Sequence, residues 1–177
     1  MTSTATSSRI KARKDALELL LELGVQSAPI PIEKIIKSLG IVIQFAPFDA
    51  EISGMAYIKD GKAIIGVNAL HHPNRQRFTM AHELGHHRLH ADEISGSVHI
   101  DKGFTVLMRD TLAAQGTNKI EMEANAFASE LLIPKFLINK YIDFENFDID
   151  DEKQMMAHAK KFKVSVSALQ NRLNAFD

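Results

Sequence analysis

Apolar positions along the chain fall into two periods. Over 9–23, Ile10, Ala16, Leu17, Leu20, Leu21 and Leu23 recur at helical spacing and Gly24 supplies a stop, which predicts a first helix. A short second helix is expected from about Pro31 to Gly40, since proline suits a first helical position and glycine a C-terminal one. The period then changes. The run 41-IVIQF-45 is β-branched and aromatic, and 52-ISGMAYI-58 and 62-KAIIGVN-68 flank the hairpin signal Asp60-Gly61. Helical spacing returns from Pro73–Asn74 to about His90, where Arg75, Phe78, His82 and His86 recur. It returns again from about Asn118 to Leu132, with Ile120, Ala124, Phe127, Ala128 and Leu131 on one face. Between these helices 93–118 is irregular: 98–110 reads as partly extended, and Gly116 with Asn118 as a turn. Pro134 ends the second long helix or starts the next turn. The piece 143–152 is an acidic loop or helix start, and 151–161 and 165–174 read as closing helices around Val164. The sum is an α+β chain with a disordered tail over 1–8 and one mostly helical domain over 9–177. Its sheet is expected to be small, three-stranded, mainly antiparallel and beside the helix that carries 82-HELGH-86.

Composition narrows the chemistry. The chain has 177 residues, enough to bury a core without covalent staples. It has no cysteine, so any metal must be held by His, Asp or Glu, and a reducing cytosol is compatible. A net charge of −1 and a pI near 6.7 give no global attraction to nucleic acid or an anionic membrane. No apolar run reaches the roughly 18 residues of a membrane helix, and the start lacks the apolar core of a secretory signal.

Four of the eight histidines lie in 79-TMAHELGHHRLHAD-92. Two histidines four apart on a helix differ by about 40° around its axis, so His82 and His86 can meet one ion. Glu83 follows the first ligand at the rim of the same face, where its carboxylate can take a proton from a metal-bound water. This is the HExxH zinc-hydrolase pattern, with Glu83 as general base. The plain alternative is a packed histidine pair beside an exposed Glu. A catalytic zinc wants a third protein ligand. One option is Asp92, ten residues after His82, but that route needs a sharp turn where Leu89 stands. The other is Glu121 in 121-EMEANAFASELLIP-134. Glu121 and Asn125 share a helix face, so one can ligate while the other accepts a hydrogen bond from a ligand imidazole. His90 drifts about 80° from His82 and reads as structural or supporting. His87 and Glu123 are expected to face solvent.

Three segments resemble the ImmA/IrrE family of zinc-dependent peptidases: 54-GMAYIKDGKAIIGVN-68, 77-RFTMAHELGHHRLH-90 and 121-EMEANAFASELLIP-134. The closing 157-AHAKKFKVSVSALQNRL-173 is also similar, so the likeness covers about 28–173. It implies a gluzincin-like, zincin-type site with His82, His86 and Glu121 holding Zn2+ (or Mn2+), and Glu83 as base. It further implies a cytoplasmic peptidase that cuts a helix-turn-helix repressor, or a partner of such a regulator in a toxin–antitoxin-like pair. One departure from thermolysin-like sites is Asn125, where an Asp often orients a histidine. No further sensor domain is expected after the closing segment.

Oxyanion stabilisation is open by residue type among Tyr57, His90, His99 and Arg109. The edge of the 52–68 hairpin is a candidate for holding an extended peptide by strand addition. The closing segment, with Lys160, Lys161, Lys163 and Arg172, also reads like a helix-turn-helix, which makes DNA binding the rival from another class.

Overall fold

The computed structural model describes residues 2–94, 98–101 and 113–175. Helix α1 (Thr2–Glu22) leads to the short α2 (Ile32–Ser38) and to strand β1 (Val42–Ala46). The hairpin β2 (Gly54–Lys59) and β3 (Lys62–Asn68) turns at Asp60 and Gly61, both at positive φ. Helix α3 (Pro73–Leu89) carries the histidine motif. After it come α4 (Ala91–Ile94), β4 (His99–Asp101), α5 (Ala113–Leu132), α6 (Lys135–Tyr141), α7 (Glu152–Phe162) and α8 (Val166–Asn174).

The elements expected at 31–40, 73–90, 151–161 and 165–174 are found within a few residues. Helix α1 begins well before residue 9, through the stretch expected as a tail. Its buried stripe is Ala12, Ala16, Leu19 and Leu20, while Ile10, Leu21 and Leu23 face outward. Helix α5 starts at Ala113 and runs through the turn expected at Gly116 and Asn118. Arg109 lies outside the described residues.

Among the described residues the sheet has four strands in the order β1-β3-β2-β4, one more than expected. It is mixed. The hairpin folds β3 back between β2 and β1, so β1 pairs parallel with β3 while β2 pairs antiparallel with both neighbours. The edge of β2, expected to be free for a peptide, is already taken by β4 over Gly54–Ala56. Asn68, fully buried at the end of β3, ties β3 to the segment before β2 and to the connection that leads into α3. Its Nδ2 donates to Ile52 O at 2.8 Å and its Oδ1 accepts from Leu70 N at 3.0 Å.

Helix α5 is the central strut, packed against α1 on one side and α3 on another. Ala124, Phe127, Ala128 and Leu131 are its fully buried face, as their spacing predicts. Two glycines set the distances around α3. A Cβ at Gly85 would sit 3.2 Å from Ala124 Cα, so this glycine lets α3 and α5 approach closely. A Cβ at Gly54 would lie 2.3 Å from Thr79 Cγ2 and 3.1 Å from Glu83 Oε1, so here β2 lies directly on α3.

Candidate metal centre

Helix α3 buries one continuous length, Thr79 to His86, between the sheet and α5. That burial puts His82, Glu83 and His86 in the interior rather than at a surface rim. Their polar atoms therefore need partners, and α5 brings them. Glu121 Oε2 lies 3.2 Å from His82 Nε2, and Glu121 Oε1 lies 3.4 Å from His86 Nε2. The two Nε2 atoms are 3.0 Å apart. His82 Nδ1 donates to Asn125 Oδ1 at 3.1 Å, which leaves the Nε2 lone pair facing the cluster.

A fourth donor comes from the sheet. His99, on β4, places Nε2 3.1 Å from Glu121 Oε1, and its ring centroid is 3.9 Å from that of His86. Ligand atoms of His82, His86, His99 and Glu121 all lie within 4.8 Å of one another. A tetrahedral zinc with bonds of about 2.0–2.1 Å has ligand–ligand edges of roughly 3.3 Å. The measured separations bracket that length, and three imidazoles with one carboxylate are donors a divalent transition ion takes. The residues therefore fit a metal. Asp101, two residues beyond His99 and facing the same way, stands within reach of His82 and Glu83.

The electrostatics of the metal-free cluster run in opposed directions. Burial disfavours charge on His82, but the hydrogen bond it donates to Glu121 and the charges of Glu83, Glu121 and Asp101 outweigh it and raise its pKa to about 9. Burial raises the Glu83 carboxyl to about 8, partly offset by His82. Both Glu83 oxygens are buried without a hydrogen-bond partner. Burial lowers His86 to about 3, with the charges of His82 and His99 acting in the same direction against Glu121. Glu121, despite burial, is held well below the usual carboxylate range by the three imidazoles.

Of the residues picked out by spacing, His82, Glu83, His86, Glu121 and Asn125 converge here. Asp92 is exposed on α4 and outside the cluster. His87 is not free at the surface: it is half-buried, with Nε2 3.0 Å from Ile64 O on β3. Glu123 does not face solvent; α5 sits deep enough that its carboxylate lies 3.5 Å from buried His90 Nε2. Tyr57 bonds Gln44 on the other face of the sheet, away from the cluster. His99 was in view only as a possible oxyanion donor. The signal for more was the alternation in 98-VHID-101, which puts His99 and Asp101 on one face and Val98 and Ile100 on the other. The spacing rules for ligands also passed over Gly54 and Gly85, whose missing side chains bring β2 and α5 to the motif.

Known proteins share the fold and part of the sequence. A solved structure titled transcriptional regulator from Mycobacterium tuberculosis superposes with a TM-score of 0.58 at 18% identity, covering 89% of this chain and 44% of that one, which is a likeness of fold. Uncharacterized immunity region protein 2 of Bacillus phage phi105 is 33% identical over 102 residues. That match takes in 57% of this chain and 56% of the relative, so the chain spans only about half the length of each of these two proteins. Residues 36–174 match the model of the IrrE N-terminal-like domain, peptidase family M78, and the chain belongs to that family.

Proposed function

We propose that this protein is a zinc-dependent endopeptidase of the cytoplasm that cuts a helix-turn-helix repressor and so releases the genes it silences, with Mn2+ as the alternative ion. One observation carries the reading: the donor atoms of His82, His86 and Glu121 converge at 3.0–3.4 Å, beside a buried Glu83 whose oxygens are unpaired. His82, His86 and Glu121 hold the ion, and Asn125 fixes the tautomer and ring plane of His82. When bound, the ion acts as a Lewis acid and brings the pKa of water toward about 7. Glu83 takes the proton from the attacking water and delivers it to the leaving amine. Burial raises its carboxyl in the metal-free cluster, and a bound dication would draw it back toward the ionised form that a base needs. The relative named for a phage immunity region supports a repressor as substrate. No helix among the described residues is long and apolar enough to cross a membrane, which fits a cytoplasmic partner.

The test pairs two variants with candidate helix-turn-helix regulators, first among them any that is encoded beside the gene. Glu83→Gln is expected to keep zinc and to lose cleavage by 10³-fold or more, on the order of what a general base and its positioning contribute. His82→Ala is expected to lose the metal. Full zinc content in His82→Ala sinks the ligand assignment. A zinc-loaded wild type that cuts no such regulator favours the second reading, a zinc-bearing binding or toxin–antitoxin partner, which the fourth donor His99 supports because closed four-ligand sites are structural. DNA binding through α7–α8 finds less support. Arg172 is buried against Glu130, Lys161 lies over the Tyr141 ring, and the turn is held by Asn74 on Val164 O and Arg77 on Lys163 O.

A further inference from the structure

Strand β4 does two things at once. It occupies the edge of β2, pairing Gly54 with Asp101, Met55 with Ile100 and Ala56 with His99. It also delivers His99 to the cluster. The His99 Nε2 is buried and makes no in-line hydrogen bond, although Glu121 Oε1 is 3.1 Å away. A buried imidazole nitrogen this close to the carboxylate, in a group whose ligand atoms all lie within 4.8 Å of one another, is placed as a ligand is placed. The position of β4 matters as much. Gly54 lies against Glu83, so the β2 edge runs directly past the base. An extended peptide that presents its backbone to Glu83 by strand addition needs that same edge.

We propose that β4 stands in for a substrate strand: His99 is a fourth protein ligand that closes the metal centre, and an extended peptide gains access only by displacing β4 from β2. The inference rests on the zinc-peptidase reading above and adds a built-in latency to it. The strand is suited to leave. It spans three residues, pairs on one side only among the described residues, and turns Val98 and Ile100 outward, 52% and 43% exposed. Helices α3 and α5, which bring the other three ligands, are long and buried. Displacing β4 thus opens one coordination position and one strand edge while the rest of the centre stays in place.

The experiment uses the zinc-loaded full chain. Zinc-edge X-ray absorption is expected to count three imidazoles in the wild type and two in His99→Ala, with zinc affinity by chelator competition weakened on the order of 10–100-fold. Hydrolysis of an unstructured reporter peptide is expected to rise in His99→Ala. Two imidazoles in both proteins, or slower hydrolysis at unchanged zinc affinity, overturns the proposal; the latter outcome marks His99 as an oxyanion donor instead. A second route avoids altering a ligand. The chain has no cysteine, so Met55→Cys with Ile100→Cys makes one cross-link between directly paired residues. Oxidised, this protein is expected to keep zinc and stop cutting, and reductant restores cutting; undiminished hydrolysis when cross-linked overturns displacement. A wild type that binds no zinc fails earlier, and takes the peptidase reading with it.

Discussion

Among the inward-facing carboxylates of helix α5, Glu130 and Glu121 live in opposite circumstances. Glu130, near its C-terminal end, is fully provided for. One oxygen accepts from Lys135 N at 2.9 Å and the other from Arg172 Nη2, while Arg172 Nε donates to Ile133 O at 3.0 Å. Glu121, about two and a half turns earlier, meets three imidazoles that repel one another when charged, beside a Glu83 with nothing to bond. The difference separates structure from function. A buried ion pair whose every polar atom is spoken for is complete as it stands, and its job is to pin α8 and the start of α6 onto α5. A buried cluster that leaves polar atoms unpaired is complete only with something added.

The comparison breaks most sharply at Arg172. Arg172→Ala leaves Glu130 buried and uncompensated, and a loss of about 3–5 kcal/mol in unfolding free energy is expected from denaturant titration. Arg172→Met with Glu130→Leu is expected to recover most of it, because the pair contributes little beyond what apolar packing supplies. Zinc bound per folded molecule should stay unchanged in both variants. Zinc lost from Arg172→Ala while the protein remains folded would mean that the two ends of α5 are not independent.

A smaller effect sharpens the other end. Asn125 touches the centre only through the Nδ1 of His82. Asn125→Ala is expected to weaken zinc affinity 10–100-fold by chelator competition while leaving the metal-free fold within about 1 kcal/mol. Asn125→Asp is expected to restore or exceed the wild-type affinity, since a carboxylate makes the imidazole a stronger donor. An unchanged affinity in Asn125→Ala would reduce the hydrogen bond to packing.

Much of this contrast was readable before any coordinates. HExxH spacing on a helix, and a carboxylate with an amide four residues on, are local patterns, and helical geometry converts them directly into shared faces. The parts that escaped depend on contacts between distant segments. Nothing near 99 in sequence says that β4 will pair with 54–56, so His99 looked like a lone histidine. The parallel β1–β3 pairing escaped for the same reason: strand order is a property of the whole sheet. Gly85 is a helix-weakening residue when read locally, and only the approach of Ala124 explains it. The outward Ile10 and Leu21 show the limit of periodicity itself. Two apolar stripes were available on α1, and the one rich in small residues won because α5 lies so close.

The smallest effect is a pH dependence, and its sign distinguishes the two ends of α5 without any mutation. In the metal-free protein Glu83 has its pKa raised from the ordinary carboxyl range to about 8, so between about 4.5 and 8 the folded state holds a proton that the unfolded chain has released. His82, raised from 6.5 to about 9, does the same between those values. Both contributions are lost as pH rises. His86, lowered to about 3, works the other way between 3 and 6.5, where the unfolded chain binds the extra proton and stability climbs with pH. Metal-free stability should therefore be level between about pH 4.5 and 6.5, where the Glu83 and His86 contributions cancel, and decline above that. The decline from 6.5 to 9 carries both groups, His82 over the whole span and Glu83 up to about 8. Zinc reverses the alkaline limb, because a ligating His82 must give up its proton and the metal binds more tightly as pH rises. Urea midpoints from pH 5 to 9, with and without zinc, read both curves, and Glu83→Gln should flatten part of the metal-free decline. A metal-free curve that is level from 6.5 to 9 would show that neither Glu83 nor His82 keeps an extra proton in the folded state, and the two carboxylate neighbourhoods of α5 would then be more alike than they look.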